Sequence, residues 1–332
     1  MNHSFESPGK SLEHDDVTRL AEMIIRWAEG EPVIARPNPL EFIAPLSKEE
    51  LAISSRTHFS SDEIASDLRD VAGARAMFKK LIGKFPGDYE KLVANKKRAD
   101  ALEIIIAFWG ETMGWFGGAL LARTSEYDDI KNGVDIVMEI ELGGGEERIA
   151  FAIDASMASK EDVIKNKIDG NVEKVLHGEK SEVKYFKSPK DGRRASLSMI
   201  IPVVIGVDGR HTDELIIETV QALKFRNTGN RLVAGSLRGS EVLENHPCQM
   251  AFLEEAVSQL EMYLFLLAEK KDARYVKPIS TITTILAYLK DVLSEKTKAV
   301  RSDISLNERT DDYLSQDAVL GFLRRNDKKL KK

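Results

Sequence analysis

A single cysteine, Cys248, is all the thiol this 332-residue chain contains. One thiol excludes an internal disulfide framework and any zinc site built on cysteine, and it fits a reducing cytoplasm. Long uncharged apolar runs are missing as well. The best candidate, Ala101 to Leu121, is interrupted by Glu103, Glu111 and four glycines, well short of the roughly 18 apolar residues a membrane span needs. The opening MNHSFESPGKSLEHDD is polar and lacks the apolar centre of a signal peptide. The expectation is therefore a soluble cytoplasmic protein. The net charge is −6, so no global basic field advertises a nucleic-acid binder; with 48 basic residues, a local patch remains open. His177 and His211 fall near helix ends, and no histidine pair has metal-ligand spacing. A Gly-X-Ser-X-Gly elbow, a Walker sequence and a dinucleotide fingerprint are all lacking.

What is present is an ordinary globular composition, 42% hydrophobic and 31% charged. The length suits one large domain, or one domain with helical additions. Residues 1–15 read as disordered. Asp16 to Glu29 has helical apolar spacing, Pro32 to Pro45 reads as an extended connector, and Leu46 to Glu50 as a cap and short helix. Ser60 opens a helix to about Lys84, and Pro86-Gly87 breaks it. Tyr89 to Trp115 reads as one long helix. Ala119 to Ser125, Gly133 to Leu142 and Arg148 to Ala155 read as strands, the last two joined by Gly143-Gly144-Gly145 as a hairpin turn. Ser159 to Leu176 is a helix, Glu182 to Lys187 a strand, Leu197 to Val207 an apolar strand, and Asp213 to Arg226 a helix. Beyond Asn227 the pattern is helical, over Gln249–Lys271, Ile279–Lys298 and Asp311–Arg325, with a basic tail. This gives an N-terminal helical extension (1–88), an α/β core (89–226) and a C-terminal helical region (227–332). Trp109, Trp115 and Phe116 read as core.

Two acids stand out. Asp135 opens a strand otherwise made of Val134, Ile136, Val137 and Met138; it is either a strand-end acid facing water or a metal ligand. Asp154 follows Phe151-Ala152-Ile153, a run that suggests a strand covered on both faces. A carboxylate there costs several kcal/mol unless it is paired or binds a cation. The helix that follows carries Lys160, Lys165 and Lys167, all flanking the apolar face of Ile164, Ile168, Val172 and Val175. Each could extend toward the hairpin by its aliphatic stem.

The stretch Val134-Asp135-Ile136-Val137 with Ala152-Ile153-Asp154-Ala155-Ser156 resembles the PD-(D/E)XK nuclease superfamily over residues 95–225. In that family an Asp begins one strand of a hairpin and a (D/E)-X-K tripeptide ends the next. Ser156 stands where the lysine is expected, and some members supply that lysine from the following helix. The resemblance implies an α/β (α+β) fold with a central mixed sheet of the restriction-endonuclease-like type, flanked by helices. It implies Mg²⁺ (or Mn²⁺) on Asp135 and Asp154, with a third carboxylate from the first helix. Glu103 and Glu111 are both candidates for that carboxylate; Glu111 is chosen because it lies nearer the strand. Lys167, with Lys165 second, would position the attacking water. Asp128 and Asp129, in a loop before Asp135, either complete the metal shell or cap a turn. The implied activity is hydrolysis of phosphodiester bonds in DNA or RNA. The alternative is a nuclease-like fold without catalysis that serves as a binding or assembly module.

Overall fold

The computed structural model describes residues 14–31, 34–43, 47, 50, 59–84, 86–142, 147–157, 161–177, 181–198, 200–228, 231–234, 241–270 and 272–330. The triple-glycine turn, Lys160, residues 1–13 of the expected N-terminal disorder and most of the short helix near Leu46 lie outside these residues; His14 and Asp15, also expected to be disordered, open the first helix. Helices α1 (His14–Ala28), α2 (Ser61–Gly83) and α3 (Tyr89–Thr112) lead into strand β1 (Leu120–Arg123), the short helix α4 (Glu126–Asn132), and strands β2 (Ile136–Leu142) and β3 (Glu147–Ser156). Then come α5 (Glu161–His177), β4 (Glu182–Lys187), β5 (Arg194–Ser198), β6 (Ile201–Gly206), α6 (Gly209–Leu223), β7 (Arg226–Thr228) and β8 (Arg231–Val233). The long helices α7 (Cys248–Leu267), α8 (Val276–Arg301), α9 (Ile304–Gln316) and α10 (Ala318–Leu330) close the chain. No helix among the described residues is long and apolar enough to cross a membrane.

The protein is a mixed α/β structure around a four-stranded sheet in the order β1-β2-β3-β6. The first three strands form an antiparallel meander, and β3 pairs with β6 in parallel. That parallel step needs a crossover, and α5 with the β4–β5 hairpin supplies it. Alternation along β2 and β3 separates two faces. Ile136, Met138, Ile140, Phe151 and Ile153 enter the main core with α1, α3, α6 and α7. Val137 and Ala152 face Val183 and Phe186 of β4. Beside them on that face, Val204 packs on Ile164 and Ile168 of α5. Helix α3 is apolar nearly all round from Ala101 to Trp109 because it is buried nearly all round. The terminal helices share this core: Val17, Ala21, Ile24 and Trp27 of α1 join it from one end of the chain and Leu320 of α10 from the other.

Several elements differ from the sequence reading. The loop expected to hold Asp128 and Asp129 is helix α4, where Ser125 supplies the cap, and the helix expected over Asp213–Arg226 is Gly209–Leu223, capped by Asp208. The apolar run Leu197–Val207 is two strands: β5 pairs with β4, whereas β6 pairs with β3. Apolar content does not mark where one ladder ends and another begins. A β7–β8 hairpin precedes the C-terminal helices. The expected helix Asp311–Arg325 is broken at Asp317, whose Oδ1 accepts the Leu320 N–H at 2.7 Å and caps a new helix.

Strand β6 is a sheet edge, and edges carry unpaired backbone groups. Helix α7 satisfies them with side chains. Glu255 accepts the Gly206 N–H at 2.8 Å. Gln259 accepts the Val204 N–H at 2.9 Å and donates to its carbonyl at 2.6 Å. The Tyr263 hydroxyl donates to the Pro202 carbonyl at 2.9 Å. Four helical residues rise about 6.0 Å and two strand residues about 6.6 Å, so the two repeats stay in step. Each side chain also matches the groups it meets: Pro202 has no N–H, and tyrosine need only donate to its carbonyl. Gln259→Leu leaves both Val204 groups buried without partners. Thermal unfolding of this variant is expected to show a loss of about 2–4 kcal/mol; a loss below about 0.5 kcal/mol, the range of indifferent surface changes, would show that the helix does not complete the edge.

Candidate metal centre

The register of the hairpin sets the geometry. The ladder between β2 and β3 includes the pair Ile136↔Ile153, and one step further brings Asp135 opposite Asp154. Asp154 shares the face of Ala152 by alternation, whereas the alternation is broken at Asp135: Val134 and Val137, three residues apart, pack in one cluster, and the Asp135 N–H bonds to the Ile153 carbonyl at 3.0 Å. Asp135 is 7% exposed, and its Oδ2 accepts the Ala155 N–H at 2.8 Å. Asp154 is tied to helix α5 by the Lys167 ammonium, whose Nζ donates to Oδ1 at 2.6 Å.

Two more acids reach the same end of the sheet. Glu103 comes from the buried middle of α3. Asp129 comes from α4, which Ser125 caps through the Asp128 N–H and which ends in Gly133 at φ 64. That left-handed turn suits glycine, and it returns the chain directly to Asp135. Oxygens of Glu103, Asp129 and Asp135 lie within 4.8 Å of one another. Asp154 and Lys167 flank this trio on the α5 side. On the opposite side, Arg36 donates to Glu103 at 2.6 Å and pairs with Asp129 at 2.9 Å. Arg123 of β1 reaches Glu103 at 3.3 Å.

Four carboxylates therefore face three cations. Asp135 bears the imbalance. Burial raises its pKa well above the ordinary carboxylate value, and the charges of Glu103, Asp154 and Asp129 add to the effect. Burial also raises Asp154 and Glu103, against the opposing pull of Lys167 on the one and of Arg36 and Arg123 on the other. Three convergent carboxylate side chains, two of which burial holds above the ordinary carboxylate range, are a fit for a hard divalent cation, which takes oxygen ligands.

The stability consequence has a definite sign. A carboxyl whose folded pKa is raised stabilises the fold below its unfolded value, near 3.8, and that contribution is lost as pH rises through the folded value. Asp135→Asn keeps an oxygen for the Ala155 N–H and removes the titration. In EDTA at pH 7 the variant is expected to melt roughly 2–4 °C above the wild type, the shift about 1 kcal/mol produces, with a flatter profile between pH 4 and 7. Parallel melting curves across that range would contradict a raised Asp135.

The remaining sequence candidates lie elsewhere. Glu111 is not in the cluster: its Oε2 accepts the Leu121 N–H at 3.1 Å at the start of β1, and its pKa is raised by burial. The reason is the path of the chain. Helix α3 runs away from the site and β1 runs back toward it, so that the Thr124 N–H bonds to the Asp135 carbonyl. Glu103, eight residues before Glu111, is about 12 Å back along the helix, level with Asp135. Lys165 pairs with Asp169 on the exposed side of α5, and Lys167 alone of the two meets Asp154. Asp128 is buried under the N–H groups of Lys184 and Tyr185 and the side chains of Ser125 and Asn132, a structural role. Arg36 and Arg123 were not singled out from the sequence. Arg36 sits in a proline-rich connector, where no periodicity marks a buried side. Glu103 carried a readable signal: it is the one charge within Leu102–Trp109, a run too apolar to turn any face to water.

Comparison of the chain with family models, with curated proteins and with solved structures found no match.

Proposed function

We propose that the chain is a divalent-metal-dependent nuclease of the restriction-endonuclease-like type, hydrolysing phosphodiester bonds in DNA or RNA. One observation carries the reading: Asp135, Asp154 and Lys167, separated by up to 32 positions, meet at one end of the sheet with Glu103 and Asp129. The element order α3-β1-β2-β3-α5-β6, with its antiparallel meander and parallel fourth strand, supports the same reading, because the superfamily resemblance implies that order. The β4–β5 hairpin and the flanking helices are additions to it. Fold alone does not fix function; the convergent residues do the arguing.

Glu103, Asp129 and Asp135 would hold Mg²⁺ or Mn²⁺, which supplies a water of lowered pKa and a counter-charge for the phosphoryl oxygens. Asp154 holds Lys167 by a direct ion pair, close enough for the ammonium to act on the charge of Asp135. Lys167 there can orient the attacking water and offset the charge that develops on the phosphate. Ser156 occupies the place of the motif lysine, and Lys167, eleven residues later and one α5 turn from Ile164, provides the cation from the helix.

The test is a cleavage assay on mixed single- and double-stranded DNA and RNA with Mg²⁺ or Mn²⁺, comparing Glu103→Gln with Glu111→Gln. Glu103→Gln is expected to lose about 10²–10³-fold in rate, and Glu111→Gln to stay within about threefold of wild type. Equal loss in both, or no metal-dependent cutting by the wild type, would count against the site. A second reading has its own support. Arg36, Arg123 and Lys167 already pair with three of the four acids, so the cluster also suits a nuclease-like fold that binds without cutting. Metal binding without cleavage, or neither, would favour it.

A further inference from the structure

Arg36 occupies the place that a metal would take, and this inference rests on the nuclease reading. Its guanidinium bridges two of the three clustered carboxylates, at 2.6 Å from Glu103 and 2.9 Å from Asp129. A single nitrogen, Arg36 Nη2, makes both contacts, so it fills the position from which a cation would bridge those two oxygens at about 2.1 Å. Next to it opens a cavity of about 650 Å³, within the size range of small-ligand sites. Four cations line it, and each is engaged: Arg36 with Glu103 and Asp129, Arg123 with Glu103, Arg75 with Glu126, and Lys96 with Asp100. Among the described residues the cavity thus offers a phosphate no free positive charge. The Arg123 side chain is 10% exposed and its Nε has no partner among the described residues, so one buried donor at the cavity wall lacks an acceptor there.

We propose that Arg36 is a resident competitor of the metal, and that once displaced it becomes a ligand for a substrate phosphate in the adjoining cavity. The two events are linked by charge. A divalent cation on Glu103 and Asp129 takes over the carboxylates that hold Arg36 and one that holds Arg123. Both guanidinium groups are then left beside the cavity with donors to fill, and a planar fork of donors matches phosphate oxygens. Metal and phosphate would therefore bind cooperatively, through Arg36, in a site whose lining cations are engaged by carboxylates beforehand. Nothing about Arg36 as a plain structural ion pair would produce that coupling.

The experiment measures Mn²⁺ affinity by calorimetry, and thymidine 5′-monophosphate affinity with and without Ca²⁺, on the full chain. Arg36→Ala and Arg36→Gln are expected to bind Mn²⁺ at least about tenfold more tightly, which corresponds to a competitor present nine-tenths of the time. They are also expected to lose the Ca²⁺-dependent gain in nucleotide affinity shown by the wild type. Lys96→Ala removes a charge from the same cavity without touching Glu103 or Asp129, and sets the general electrostatic effect, expected below about threefold. The tightening must vanish when Asp135→Asn is added. Unchanged or weaker Mn²⁺ binding by both Arg36 variants, or a gain no larger than that of Lys96→Ala, overturns the competitor role. Retention of Ca²⁺-dependent nucleotide binding overturns the phosphate role. Absence of Mn²⁺ binding in the wild type and in both variants instead removes the metal site itself. Circular dichroism on the Gln variant, which keeps a hydrogen-bonding amide, separates these outcomes from misfolding.

Discussion

Asp135→Ala is expected to abolish metal-dependent cleavage, with a fall of at least about 10³-fold, the scale at which removal of one preorganised charge stabiliser is felt. Asp135 is the member of the cluster with the fewest alternatives. It is buried, it immediately precedes β2, and it faces carboxylates from α3, α4 and β3. Its removal takes away a ligand and leaves Glu103 and Asp129 bridged by Arg36, a closed arrangement with no charge left over. Mn²⁺ affinity should fall in parallel. The fold should hold, because the main role of Asp135 within the fold is one hydrogen bond to Ala155, worth about 1 kcal/mol. Cleavage within tenfold of wild type would remove Asp135 from the chemistry.

The second large effect concerns the lysine. Lys167→Ala is expected to lose about 10²–10³-fold in cleavage rate, the range for a group that stabilises transition-state charge or moves a proton. Its metal affinity should be unchanged or slightly higher, because a cation is removed from beside the site. Lys165→Ala should behave as wild type, since that ammonium pairs with Asp169 on the exposed side of the helix. The pair of variants discriminates well because the two residues share a helix, a charge and nearly the same sequence position. Loss in Lys165→Ala with retention in Lys167→Ala would mean that α5 is turned differently during catalysis. Silence in both would place the base elsewhere or deny the activity.

How far the sequence anticipates these features depends on the kind of signal. Periodicity finds the meander and the helices α1, α2, α3 and α5, because alternation and the 3.6-residue repeat follow directly from burial. It does not find the division between β5 and β6. Both are apolar, and only the choice of partner strand separates them. The break at Asp317 is a capping event inside a continuous amphipathic pattern, visible once the carboxylate is seen to accept the Leu320 N–H.

The candidate site divides in the same way. Asp135 and Asp154 are legible because each is a charge set against an apolar strand. Lys167 is singled out only by the resemblance, since the helix face alone does not separate Lys160, Lys165 and Lys167. Glu103 and Asp129 depend on distances along the fold. Nearness in sequence favours Glu111, yet a helix followed by a returning strand places the matching carboxylate two turns earlier. Asp129 depends on a seven-residue helix that turns Asp128 inward and Asp129 toward Asp135. Arg36 has no local signal, since its role exists only where the connector after α1 passes the end of the sheet.

The central claim is that Glu103, Asp129 and Asp135 hold a divalent cation. Anomalous diffraction from crystals soaked in Mn²⁺ tests it most directly. The account predicts one strong peak within about 2.2 Å of oxygens from those three side chains, a distance close to that of Mg²⁺, with the Arg36 guanidinium moved off Glu103 and Asp129. A clean map at that position, with Arg36 still bridging the two carboxylates at millimolar Mn²⁺, would contradict it.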